Sequence, residues 1–286
     1  MDDLDNDKMG GADRHDPVAA ISEAEATGET AAIFADIRQT MQIPLITSIW
    51  RTLVDIEGGL SAVWNVARPL YETGQPAAAL LKLQKRAVLP VPEPLVPGQL
   101  SCTGVPVEDL PVIRALIGAY NRSNGLNLMA LTGLVAPRSG AHPAYLTPPD
   151  PDPWPKLPPL PAPADIPANV WTFLHHINRF GAVPGEEGLA TIWRHLAPWP
   201  GLLAVIYAGL APHQRDGTIQ RSTQHVLEIA QTEGARLAYL RPEVVSLPEA
   251  ARRMITNYVR NPGLVARMVA IGHGLARWLE FPDGQA

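Results

Sequence analysis

Apolar residues recur along most of this chain at spacings of three and four, the period that lines one face of a helix. In the stretch TAAIFADIRQTM, Ile33, Phe34, Ile37 and Met41 form one such stripe. Pro44 ends it, because the residue before a proline is pushed out of helical geometry. Residues 45–73 read as two helices joined near Glu57-Gly58-Gly59, and 77–87 as a further short one. Asp109 is placed to cap the next helix, in which Ile113, Leu116, Ile117 and Tyr120 fall at i, i+3, i+4 and i+7. After the polar interval 121–125, LNLMALTGLVA is apolar nearly all round and reads as a separate buried helix. Further helices are expected over 170–180, 189–197, 200–210, 218–240, 248–261 and 264–279. Period-two alternation is scarce, so the predicted class is all-α.

Two stretches interrupt this pattern. Residues 88–106 are Pro-rich and read as a surface loop. Residues 142–166, HPAYLTPPDPDPWPKLPPLPAPADI, have too many positions without a backbone donor to sustain a helix or an interior strand. They read as a semi-rigid tether in extended polyproline geometry. Residues 1–16 are acidic and Gly-containing, which predicts a frayed tail, with Asp16-Pro17 as the cap of a first helix.

The same pattern occurs twice. IWRTLVDIEGGLSAVWNVARPLYETG from Ile49 and IWRHLAPWPGLLAVIYAGLAPHQRDG from Ile192 align without a gap at an offset of 193 − 50 = 143. Trp50 meets Trp193, Arg51 meets Arg194, Leu53 meets Leu196, Pro69 meets Pro212 and Gly74 meets Gly217. A second pair, YNRSNGLNLMALTG from Tyr120 and YVRNPGLVARMVAIG from Tyr258, has an offset of 258 − 120 = 138. A unit of roughly 130 residues is far longer than a solenoid repeat. The expected organisation is therefore an acidic tail over 1–30, a first helical repeat over 31–141, the linker over 142–166 and a second repeat over 167–286. The two repeats would form a pseudo-dimer with a ligand site where they meet.

Composition narrows the partners. Residues 1–30 hold nine acids and two bases, a net of −7, so the rest of the chain carries −5 + 7 = +2. A near-neutral body lacks the basic stripe of a nucleic-acid binder. The single cysteine, Cys102, excludes an internal disulfide, a CxxC redox pair and a cysteine-rich zinc site. With no signal peptide and no apolar run of bilayer-spanning length, a cytoplasmic protein free of membrane is expected. No cofactor is implied, and a homodimer remains open.

Several side chains could carry chemistry. Asn121 and Asn124 suit a turn between helices, and equally an amide that orients a water or a substrate oxygen. Pro262 takes the place of Asn124 in the second copy, so the halves are not chemically equivalent. Arg51 and Arg194 could stack on an indole, pair across the interface between halves, or hold a substrate carboxylate in the guanidinium fork. Glu186 and Glu187 complement a helix N-terminus, or supply a general base if shielded from water. His175 and His176 point in different directions along a helix and make no ligand pair.

Together ADIRQTMQIPLITSIWRTL, AYNRSNGLNLMALTGL and LATIWRHLAPWPGLL resemble the group I 2-haloacid dehalogenase (DehI-type) family. The resemblance implies an all-α pseudo-dimer, similar in fold to the alkylhydroperoxidase-D-like helical proteins, acting on both enantiomers of small 2-halo acids. In that family an aspartate activates a water that displaces halide directly at C2, while an asparagine holds the water. The asparagine falls on Asn124 and the aspartate position on Ile192, which cannot take a proton. Thr191 lies beside it, and Leu45 and Ser48 take pocket positions that are aromatic in active members. Glu187 or Glu186, from the preceding loop, is then the candidate base. Three functions follow: a 2-haloacid hydrolase, a homologue that binds or acts on another small carboxylate, or a structural protein.

Overall fold

The computed structural model describes residues 20–87, 89–92, 95, 97–147, 153–184, 188–243 and 245–280. Among these residues every regular element is helical. In chain order they are α1 (Gly28–Met41), α2 (Ser48–Thr52), α3 (Gly59–Glu72), α4 (Gln75–Arg86), α5 (Pro97–Ser101), α6 (Leu110–Val135), α7 (Ala168–Ile177), α8 (Thr191–His195), α9 (Pro200–Arg215), α10 (Thr218–Leu237), α11 (Glu249–Arg260) and α12 (Arg267–Trp278). Residues 1–19 of the acidic tail, with the proposed cap at Asp16-Pro17, and the pair Glu186-Glu187 lie outside the described residues.

The stripe read in α1 buries Phe34, Ile37 and Met41. Gln42 then ends the helix in left-handed geometry, φ 54°, so the chain has already turned before Pro44. The residues matched between the two long segments take matching local structures. Trp50 and Trp193 are both fully buried. Pro69 and Pro212 each sit inside a helix, and Gly74 and Gly217 both have positive φ at the start of the next helix.

Three expectations need correction. Residues 121–125 are not a turn between helices: α6 runs unbroken from Leu110 to Val135. The helix's one proline, Pro111, lies in its first turn, where no amide donor is needed, and nothing breaks the ladder through 121–125. Gly125 serves packing instead, since a Cβ there would lie 2.4 Å from Leu80 Cδ1. Asp109 makes no side-chain cap bond; its carboxylate accepts from Trp199 Nε1 at 2.8 Å. The segment 88–106 is not merely superficial either, because Leu89, Leu95, Leu100 and Val105 are buried.

Two hydrophobic clusters fill the interior, and each draws on both sides of the Pro-rich segment. One gathers α1 to α4, the C-terminal half of α6, and residues of α10, α11 and the start of α12. The other joins the N-terminal half of α6 to α7, α8, α9 and the end of α12. Helix α6 is therefore a shared beam. The Pro-rich segment is tied to the body where it is described. Leu146 N donates to Thr73 O at 2.8 Å, Trp154 Nε1 to Gln42 O at 3.0 Å and Arg194 Nε to Pro161 O at 2.7 Å.

Candidate functional site

The second half of the pattern breaks where the first does not. Pro262 lacks an amide hydrogen and cannot close the helical bond. The chain passes from α11 through a π-type turn, with Leu264 at φ −105°, ψ −124°, before α12 begins. Asn261 Oδ1 caps the break by accepting from Gly263 N at 2.8 Å. Arg267 braces it from one turn below: its Nε donates to Gly263 O at 2.5 Å and its Nη1 to Asn178 O at 2.6 Å and Phe180 O at 3.0 Å. Its Nη2 reaches Asn178 Oδ1 at 3.1 Å.

A cavity of about 380 Å³ opens between this break and the middle of α6. That volume suits a small organic ligand. Ser48, Asn124, Thr191 and Ile192 all line it, brought together from α2, α6 and α8. Tyr120 and Tyr258 line it too, and these are the residues that open the two copies of the shorter repeated segment. Ser48 and Thr191 are likewise partners at the offset 191 − 48 = 143. Matched positions of the two segments thus face one chamber.

Beneath it a buried amide organises the polar floor. Asn127 Oδ1 accepts from Trp50 Nε1 at 3.1 Å and from Tyr71 OH at 2.9 Å. Its Nδ2 donates to Thr47 Oγ1 at 2.9 Å, and Thr47 Oγ1 lies 3.2 Å from Ser123 Oγ. This network fixes the entry to α2 and so the position of Ser48. Burial raises the Tyr120 and Tyr258 hydroxyls above their usual pKa, with Asn127 opposing the shift at Tyr258. Both phenols stay neutral and serve as hydrogen-bonding groups.

Among the described lining residues Arg267 carries the only formal charge. The chamber therefore combines one buried guanidinium, neutral hydroxyls and an amide with the apolar walls Leu189, Ile192, Leu264, Val265 and Met268. Such a lining attracts a small anion and holds its apolar part. Ile192 is only 3% exposed and belongs to a hydrophobic cluster.

Not every expected residue reaches this chamber. Leu45, Arg51 and Arg194 line a second cavity, which meets the first at Tyr120 and Thr191. Arg267, Tyr120 and Tyr258 were missed as site residues. The tyrosines had a signal in their repeated positions, but Arg267 had none, because its match at the offset 138 is Met129. Neither His175 nor His176 belongs to a metal-binding cluster, and among the described residues no group of three or more potential ligands occurs.

No protein-family model matches this chain. Over 115 residues, 40% of the chain, it is 25% identical to a configuration-inverting 2-haloacid dehalogenase of Alcaligenes xylosoxydans xylosoxydans, and the match spans 39% of that relative. Solved structures agree over a wider span. A D-2-haloacid dehalogenase in complex with L-LA superposes with a TM-score of 0.74 at 15% identity, covering 91% of this chain and 96% of the other. A mutant of a D-2-haloacid dehalogenase with D-2-CPA gives 0.69 at 16% identity, covering 91% and 92%. The chain shares the fold of 2-haloacid dehalogenases and, over part of its length, a weak similarity of sequence.

Proposed function

We propose that this chain is a hydrolase of the 2-haloacid dehalogenase class, built as a pseudo-dimer of two helical repeats, with its reaction chamber between α6 and the break at Pro262. One observation carries the reading: a small chamber whose described lining has a single positive charge also contains Asn124, Ser48 and Thr191. A 2-halocarboxylate fits that chemistry. Arg267 supplies positive potential to its carboxylate, the hydroxyls of Ser48 and Thr191 accept or donate around it, and the apolar wall receives the C2 substituent. Asn124 holds a water for attack at C2. The water's oxygen forms the new bond to carbon, halide leaves with the C2–halogen electron pair, and a base takes the proton. Glu187 is the candidate for that base.

Ile192 favours a second reading, in which the chamber binds or processes another small carboxylate without dehalogenation. A positioned general base contributes about 10²- to 10⁴-fold, and an isoleucine contributes none of it. Halide release from both enantiomers of 2-chloropropionate separates the two. Under the first reading the unmodified chain releases halide, Asn124→Ala slows it by about 10²-fold or more, and Glu187→Gln slows it by a similar factor. Halide release found only after Ile192→Asp would replace the first reading with the second.

A further inference from the structure

The second cavity, of about 910 Å³, lies beneath the Pro-rich segment. Its cations are Arg51, Lys156 and Arg194, with His195 beside them, and its acids are Glu23 and Glu25. Both acids are engaged elsewhere. Glu23 accepts from Ile46 N at 2.7 Å and pairs with Arg38, while Glu25 accepts from Ser22 N at 2.9 Å at an exposed site.

Arg51 is the anomaly. It is only 4% exposed, its Nε has no hydrogen-bond partner, and no ion pair involves it among the described residues. Its sequence match Arg194 meets the Pro161 carbonyl instead. A mostly buried guanidinium whose Nε lacks an acceptor and which has no ion pair carries a desolvation cost, and an anion entering the cavity would offset it. Leu45, Ile46, Leu157 and Leu160 supply apolar walls around it. The segment that covers the cavity is pinned on the same side, with His195 Nε2 at 2.8 Å from Pro158 O.

We propose that this cavity is a second ligand site, taking a carboxylate with an apolar body at Arg51, adjoining but distinct from the chamber at Asn124, which it meets at Tyr120 and Thr191. The site stands on its own observations and does not depend on the hydrolase reading. Calorimetric titration of the full chain with hexanoate and with its neutral analogue hexanamide tests it. Hexanoate should bind saturably, and hexanamide at least about tenfold more weakly, the difference expected for a charge-assisted pair. Arg51→Gln should weaken hexanoate at least about tenfold, while Asn124→Ala should leave its affinity unchanged. Absent hexanoate binding, equal binding of the amide, or loss of binding in Asn124→Ala would each overturn the proposal. So would unchanged affinity in a folded Arg51→Gln variant. Should that variant fail to fold, the hexanoate and hexanamide pair still decides on the unmodified protein.

Discussion

The segments opened by Tyr120 and Tyr258 share a pattern yet fold differently. Around Asn124 the helix α6 continues, so a side-chain amide projects from an intact turn into the chamber. Around Pro262 the helix opens, and the chamber is lined instead by Gly263, Leu264 and Val265 of the broken turn, with Arg267 bracing the Gly263 carbonyl. One missing backbone donor thus converts a symmetric plan into an asymmetric site. The continuous side offers a neutral amide and the interrupted side offers positive charge.

Substitutions that transfer features between the two sides test this account, beginning with the largest effect. Asn124→Pro imports the break into α6, where it removes a bond from the beam shared by both hydrophobic clusters. It should cost about 3 kcal/mol or more, read as a lowered midpoint in urea unfolding.

His273, on α12, comes next, at a position matched by Val135 through the offset 273 − 135 = 138. It is 8% exposed and neither ring nitrogen has a partner. Burial lowers its pKa from 6.5 to about 4. The fold therefore holds the neutral ring, and the unfolded chain takes up a proton first. Its contribution is fully present above pH 6.5 and is lost as pH falls through about 4, an effect of about 3 kcal/mol across that window. His195 is shifted in the same direction by burial and adds to the trend. Urea midpoints measured from pH 7 down to pH 4 should fall less steeply for His273→Leu than for the unmodified chain; parallel slopes would remove His273 from the account.

Gly272→Ala has a smaller expected effect. Asn121 of α6 donates from Nδ2 to Gly272 O at 2.8 Å, and an added Cβ would stand 2.1 Å from Asn121 Oδ1. The two helices must separate or the amide must turn, at a cost of about 1–3 kcal/mol by thermal unfolding. Pro262→Ala should change stability least, by under about 1 kcal/mol, because Asn261 and Arg267 already satisfy the opened turn. Its effect should fall on the chamber, as altered binding of 2-chloropropionate.

Much of this asymmetry was legible in the chain. The expected ranges 248–261 and 264–279 leave a gap at Pro262, between α11 and α12, and the stripe of Ile33, Phe34, Ile37 and Met41 predicts α1. The misreading of 121–125 came from polar, turn-favouring residues whose preference is overridden by packing: Asn121, Ser123 and Gly125 are buried at helix crossings, where local propensity is outweighed. The cavity lining was legible where repeated positions converge, as at Ser48 with Thr191. Arg51 and Arg194 line the second cavity rather than the chamber of Asn124, a placement the sequence could not give, because adjacency to a Trp does not fix which cavity a side chain enters. Arg267 was invisible because its role depends on carbonyls of residues 178 and 180, which only folding brings within reach.

The sharing of α6 between two clusters also bears on how the chain is made. The cluster built around α1 to α4 includes Val269 and Ala270, so it cannot close until nearly all of the sequence has left the ribosome. A domain that completes its core early can shelter its apolar residues during synthesis. Here α3 and α4 must wait for α11 and α10, about half a chain or more away, and a ribosome paused in the Pro-rich segment would hold out a set of helices with no finished interior.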